Sequence, residues 1–148
     1  MNRMIFVNLP VSDLPRSRSF LEALGAVNEP KFTDDTAACM TLSDSIHVML
    51  LTHDKFSQFT PRPIADATAG SEVLLCLSEK SRESVDSTIA RAVAAGGTAD
   101  PAPKQDYGVM YGRSVADPDG HIWEIMWMDA AAAERGAEAV QEAIATAI

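Results

Sequence analysis

The sequence predicts an α+β protein made of two tandem copies of one strand–helix–strand–hairpin (βαβββ) unit, followed by a C-terminal helix. Three observations predict it. Short runs rich in β-formers flank two longer segments whose apolar residues recur at spacings of three and four. The order of these elements is the same in both halves. The closing hairpins of the halves also align, with Ser45-Ile46-His47-Val48-Met49 lying against Gly120-His121-Ile122-Trp123-Glu124. An internal duplication accounts for that repeat.

Residues 4–10, rich in Ile, Phe, Val and Leu, form the first predicted strand. Ser12 or Asp13 can cap the helix that follows, and Pro15 is tolerated in its first turn. Phe20, Leu21 and Leu24 mark the apolar side of this helix, and Gly25 is suited to end it. Residues 36–42 and 46–52 are strand-like runs joined by the turn Ser43-Asp44-Ser45. Periodicity fades over residues 53–70, where Pro61, Pro63 and Gly70 signal a surface connection between halves. Residues 72–77 suit a strand. Ser81 then opens a helix with Val85, Ile89, Ala92 and Val93 on its apolar face, ended by Gly96-Gly97. After a loop containing Pro101 and Pro103, strands 109–116 and 122–128 flank Asp117-Pro118-Asp119-Gly120. This composition suits a type I turn, with Asp117 able to bond back to the main chain. Residues 130–148 are Ala- and Glu-rich and predicted helical, with a stripe of Ala133, Ala137, Val140, Ile144 and Ile148 that could pack on the domain or a partner chain.

Composition bounds the function. A chain of 148 residues with 47% apolar and 22% charged residues can bury a sizeable core as one domain. Its net charge of −9 and lack of a basic run argue against nucleic acid or another polyphosphate as partner. No apolar run approaches the roughly 18 residues of a membrane span. Cys39 and Cys76 both sit in apolar segments, and Met1-Asn2-Arg3 runs directly into a strand rather than a targeting signal. A cytoplasmic location is expected.

Val11-Ser12-Asp13-Leu14, followed by Ser17, Phe20 and Leu24-Gly25, resembles the opening of vicinal-oxygen-chelate proteins, the glyoxalase/bleomycin-resistance/extradiol-dioxygenase superfamily. Ala95-Gly96-Gly97 followed by Asp117-Pro118-Asp119-Gly120-His121-Ile122-Trp123-Glu124 resembles their closing strand pair. The resemblance spans about residues 4–129. It implies one domain over residues 1–129, with module one at about 4–52, a crossover at 53–70 and module two at about 71–129; residues 130–148 extend it. It also implies a strongly curved eight-stranded mixed sheet whose concave side holds a metal or ligand, and commonly a homodimer.

Enzymes of this superfamily hold a divalent metal with His and Glu side chains on the first and last strands of each module. Carried over residue by residue, those positions fall at Phe6, Met49, Val73 and Glu124. Only Glu124 offers a suitable donor. A register shift of one would bring Glu72 in place of Val73, and Val48 or Leu50 in place of Met49. Alternation puts Asn8 on the face of Phe6 and His47 on that of Met49, so a rearranged metal site of Asn8, His47 and Glu124 is one alternative. Otherwise the inward face is apolar and soft, with Phe6, Met49, Leu75, Leu77 and Met126, as in a pocket for a small organic molecule.

Glu124 is the leading candidate for catalysis, as metal ligand, general base or anchor of a polar ligand group, against pairing with Arg113 or Tyr111. Asn8 and His47 could bind ligand or only satisfy neighbouring groups. Met110 and Tyr111, with Tyr107 beside Gly108, could form a pocket rim or pack a strand entrance. His121 is expected to hold its turn, Trp123 and Trp127 to face the helices, His53 to lie in the crossover and Asp34-Asp35 in a solvated turn. No phosphate loop, nucleophile elbow or Cys-x-x-Cys pair occurs. Two functions compete. One is a small-molecule binding protein resembling bleomycin-resistance proteins, without the usual metal and with no cofactor. The other is a metal-dependent lyase, isomerase or dioxygenase using Glu124, His47 and Asn8.

Overall fold

A computed structural model describes residues 2–147. The first module runs β1 (Ile5–Val11), α1 (Leu14–Ala23), β2 (Val27–Glu29), a 3-10 turn at Pro30–Phe32, β3 (Ala37–Thr41) and β4 (Ile46–Thr52). A one-turn helix, α2 (His53–Ser57), opens the crossover. The second module runs β5 (Leu75–Ser78), α3 (Arg82–Ala94), β6 (Thr98–Ala99), β7 (Gln105–Asp106), β8 (Met110–Ala116) and β9 (Ile122–Met128). Helices α4 (Ala130–Arg135) and α5 (Ala137–Thr146) follow.

The duplicated α+β architecture is present, and the strands hydrogen-bond as two mixed sheets. The first has the order β1-β4-β3-β2; the second has β5-β9-β8-β6, with β7 also on β8. In each, the first strand pairs in parallel with the last: Asn8 opposite Met49 in one, Cys76 opposite Glu124 in the other. Strands β1 and β5 are each bonded on one side only and do not pair with each other.

One apolar cluster draws on both modules, joining Phe20 and Leu21 of α1 and Val48 and Leu50 of β4 to Ile89, Val115, Trp123 and Ile125. The period-two pattern of β9 produces this directly. Trp123 and Ile125 are buried, while the intervening Glu124 and Met126 are only half-buried. Trp127 packs on the same core.

Local signals explain most boundaries. Asp13, rather than Ser12, caps α1 by accepting from the Arg16 amide at 3.0 Å. Ser12 instead serves the junction of the modules: its amide (3.0 Å) and hydroxyl (2.7 Å) donate to Asp119 Oδ1, and the Ser17 hydroxyl donates to Asp119 Oδ2 at 3.2 Å. His121 Nε2 lies 2.9 Å from the Pro10 carbonyl oxygen, which can only accept, so this nitrogen carries the proton. The Asp117–Gly120 turn is therefore a clasp on β1 and α1. As expected, Asp117 Oδ1 accepts from the amides of Asp119 (3.0 Å) and His121 (2.9 Å). Burial pushes the Asp117 carboxyl above its ordinary range.

Three expectations are corrected. The strand predicted at 72–77 lies at Leu75–Ser78, and Val73 and Leu74 precede it, 58% and 53% exposed. The C-terminal helix breaks at Gly136 (φ +80°), so its buried residues are Ala132 and Ala139 rather than the predicted stripe. Ile148 lies outside the described residues. Val93, placed on the apolar face of α3, is 43% exposed, because Val85, Ile89 and Ala92 already fill that face.

Candidate functional site

The register divides the predicted site residues into four places. Phe6, Asn8, His47 and Met49 share the face of the first sheet opposite its helix, next to Cys39 and Thr41 of β3. The rings of Phe6 and His47 stack with centroids 4.7 Å apart and planes at 15°. His47 Nδ1 pairs with the Thr41 hydroxyl at 3.0 Å, while Nε2 is buried without a partner among the described residues. Phe6 is 48% exposed, so the pair presents an aromatic platform.

Glu124, Met110 and Met126 meet on the equivalent face of the second sheet. With Cys76, Gly112 and Ser114 they line a hollow of about 210 Å³, which Ala102 and Pro103 of the β6–β7 loop border. The Glu124 carboxylate makes no hydrogen bond or ion pair with a described residue. Its opposite neighbour Cys76 was not singled out by sequence, although Leu75 and Leu77 alternating with Cys76 and Ser78 carried the signal. Cys76 is exposed rather than buried, yet desolvation of its sulfur, and next the charge of Glu124, push the thiol up, so it stays protonated near neutral pH.

Leu75 and Leu77 therefore do not share Glu124's face; they pair with Trp123 and Ile125 and pack on the core. Val73 and Leu75 line a different cavity, at the seam between the modules, as does Asn8. Tyr111 is the fourth case. It belongs to the helix-facing side of β8, only 7% exposed, and its hydroxyl donates to Asp86 of α3 at 2.7 Å. Arg113 shares that side and cannot pair with Glu124. Its guanidinium grips Asp100 through two hydrogen bonds (3.1 and 2.7 Å) and Asp86 through a third (3.0 Å).

These ion pairs secure the loop bordering the Glu124 hollow. Arg82, stacked 4.5 Å over the Tyr111 ring, also forks onto Asp106 at 2.9 and 2.6 Å. The Arg82 fork holds the Asp106 carboxyl down, from 3.8 to about 2. Hydrogen bonds from Tyr111 to Asp86, and from Arg113 to Asp100, lower those two carboxyls as well. A carboxyl whose folded pKa is depressed stabilises the fold above its unfolded pKa and loses that contribution as pH falls through the folded value. For Asp106 that window runs from about 4 down to about 2. Acid should therefore release residues 100–106 across this window, read as a falling thermal midpoint and faster amide exchange in the loop. Arg82→Met should remove the Asp106 part. Asp117 works in the opposite sense, since its raised pKa means acidification relieves a cost.

A chelated metal does not fit the donors of one chain. Phe6, Met49 and Val73 supply no hard donor, and Asn8, His47 and Glu124 are divided between two sheets that do not pair. Among the described residues no group of three or more His, Cys, Asp or Glu side chains could hold a metal ion. Among the described residues no helix is long and apolar enough to cross a membrane.

Two βαβββ modules, each pairing its first strand with its last, define the architecture of the vicinal-oxygen-chelate proteins. A family model for the glyoxalase/bleomycin resistance protein/dioxygenase superfamily matches residues 3–125, and the chain belongs to that superfamily. Solved structures agree in fold. The hypothetical protein SA1046 from S. aureus is 24% identical, with a TM-score of 0.71 over 86% of this chain and 94% of its own. A glyoxalase-related enzyme from Fulvimarina pelagi is 25% identical, with a TM-score of 0.71 over 86% and 88%. The fosfomycin resistance protein FosX from Listeria monocytogenes is 16% identical, with a TM-score of 0.61 over 86% and 91%. No curated protein sequence matches this chain.

Proposed function

We propose that the protein binds a small, largely apolar organic molecule bearing a positive charge or a strong hydrogen-bond donor, in the manner of a metal-independent bleomycin-resistance-like protein. The observation that carries this is the Glu124 hollow: thioethers, small residues and Gln105 around one half-buried carboxylate without a partner among the described residues. The charge of Arg113, which also borders it, is taken up by Asp100 and Asp86. An apolar pocket with few polar groups fixes a ligand's orientation through those groups. The acidic surface favours a cationic ligand at longer range. Free Cys39 and Cys76 suit a reducing cytoplasmic setting.

We also infer a homodimer. Met4 just before β1, and Ile5 and Phe6 at its start, are 55%, 57% and 48% exposed, and Leu74 before β5 is 53% exposed. A second copy that sets its Glu124-bearing sheet against the Phe6–His47 platform covers this apolar surface and closes the hollow. Sedimentation should show a dimer that Phe6→Asp dissociates; a monomeric parent protein would overturn the assembly.

The ligand reading is tested by calorimetric titration of aromatic cations and their neutral isosteres. Glu124→Gln should weaken the cations about tenfold, the scale of one lost charge-assisted contact, and leave the isosteres unchanged. Metal analysis of protein purified without chelators supplies the opposing arm. Stoichiometric metal that vanishes in Glu124→Ala would overturn the metal-independent reading.

A further inference from the structure

A second cavity, of about 530 Å³, lies at the seam between the modules and shares no lining residue with the Glu124 hollow. Leu9 of β1, Ile122 of β9 and the crossover residues Phe56, Pro63 and Ile64 are among its apolar walls. Its size and apolar character are those of small-molecule sites.

The topology makes this cavity and keeps it open. β1 bonds only to β4, so alternate main-chain groups along β1 point away from the sheet toward the second module. The Ile5 amide turns to the β4 side, donating to the Ser45 carbonyl oxygen, while the Pro10 carbonyl oxygen turns outward and accepts from His121. By the same alternation the Asn8 amide and carbonyl face outward, along a wall of the cavity. The crossover is seated firmly above. A Cβ on Gly120, whose φ is +95°, would stand 2.7 Å from Thr68 Cγ2 and 3.1 Å from the Thr68 nitrogen. Asp66 Oδ1 in turn accepts from the Thr68 amide and hydroxyl, at 2.9 and 2.6 Å.

Two charged side chains of opposite sign line the cavity, Arg62 and Glu72, and neither forms an ion pair with a described residue, each other included. Asn8, which also lines the cavity, makes no side-chain hydrogen bond with a described residue. We infer that the seam cavity is a second ligand site, for a zwitterion with an apolar body, of which a large apolar amino acid is the simplest example. The carboxylate meets Arg62 and the outward Asn8 amide, the ammonium group meets Glu72, and the side chain fills the space beside Leu9, Phe56 and Ile64. A guanidinium and a carboxylate that line one apolar cavity without pairing with each other match a ligand carrying both complementary charges better than one carrying either alone.

The test is calorimetric titration of L-phenylalanine, N-acetyl-L-phenylalanine and L-phenylalaninamide into the full chain. The zwitterion should bind tightest, since each analogue forfeits one charge contact. Arg62→Met should weaken phenylalanine and its N-acetyl derivative about tenfold and leave the amide unchanged. Glu72→Gln should do the reverse, sparing the N-acetyl compound. Glu124→Gln should leave phenylalanine and its N-acetyl derivative unaltered, which separates this site from the hollow of the second sheet, where the cationic amide alone is also a probe of Glu124. Both altered side chains are exposed, and the three ligands discriminate on the parent protein even without the variants. Absence of binding at millimolar phenylalanine, equal binding of all three compounds, or binding that only Glu124→Gln abolishes would each overturn the assignment.

Discussion

Gly97→Ala should lower the unfolding free energy by about 1–3 kcal/mol, the usual cost of forcing an added methyl into a close-packed core. A Cβ at this position would lie 2.7 Å from Cε2 of Phe20, 2.9 Å from Cγ2 of Val115 and 3.0 Å from the Ala92 carbonyl oxygen. Phe20 comes from the first module; the other two belong to the second. All three residues are fully buried, so there is no solvent gap into which they can retreat. The converse change, Phe20→Ala, should cost about 3–5 kcal/mol, because it empties the same junction. Urea denaturation measures both. A double variant, Gly97→Ala with Phe20→Leu, should cost less than the sum of its parts, since leucine lacks the Cε2 atom that the new methyl strikes. Additive costs, or a Gly97→Ala protein as stable as its parent, would mean that the modules are not wedged together at this point.

Asp119→Ala should cost about 2–3 kcal/mol, the scale of hydrogen bonds to a charged group. Its side chain is only 11% exposed and accepts from the Ser12 amide, the Ser12 hydroxyl and the Ser17 hydroxyl, with Arg16 at 3.8 Å. Removing it takes the shared acceptor from Ser12, just before α1, and from Ser17 within it, at the point where the second module holds the first. Asp119→Asn keeps one acceptor for Ser12 and can donate to the Ser17 hydroxyl, so its cost should be clearly smaller. Amide exchange over the first turn of α1 should quicken in the alanine variant and less in the asparagine variant. Equal effects of the two substitutions would show that the charge and its acceptors do not bear on the clasp.

The elements themselves were legible because their causes are local. Asp13 before a Pro-containing first turn, the alternation of Trp123, Glu124 and Ile125, and the Asp117–Gly120 turn each act within a few residues. The duplication was legible because each module repeats the same local causes in the same order. The site was legible only by halves. Period-two alternation sorted Phe6 with Asn8, His47 with Met49 and Glu124 with Met126, as the register bears out. It could not say which strand's face adjoined which. Val73 was placed on a strand that begins two residues later, and Leu75 on the face opposite its own. Aromatic character leaves Tyr111 open between a pocket rim and a packed strand entrance, whereas its bond to Asp86 fixes its direction.

Patterning alone therefore determined that this chain is a duplicated βαβββ protein with Glu124 as a charged residue on an otherwise apolar strand. Both follow from periodicity and turn chemistry, which operate at short range. Tertiary structure alone decided that Asn8 and His47 stand apart from Glu124 and that Asp119 and His121 clasp β1 and α1. It also decided that a cavity bearing Arg62 and Glu72 opens at the seam. Those outcomes depend on how two separately patterned sheets pack around a shared core. Contacts between residues some hundred positions apart set that packing, and no local pattern encodes it.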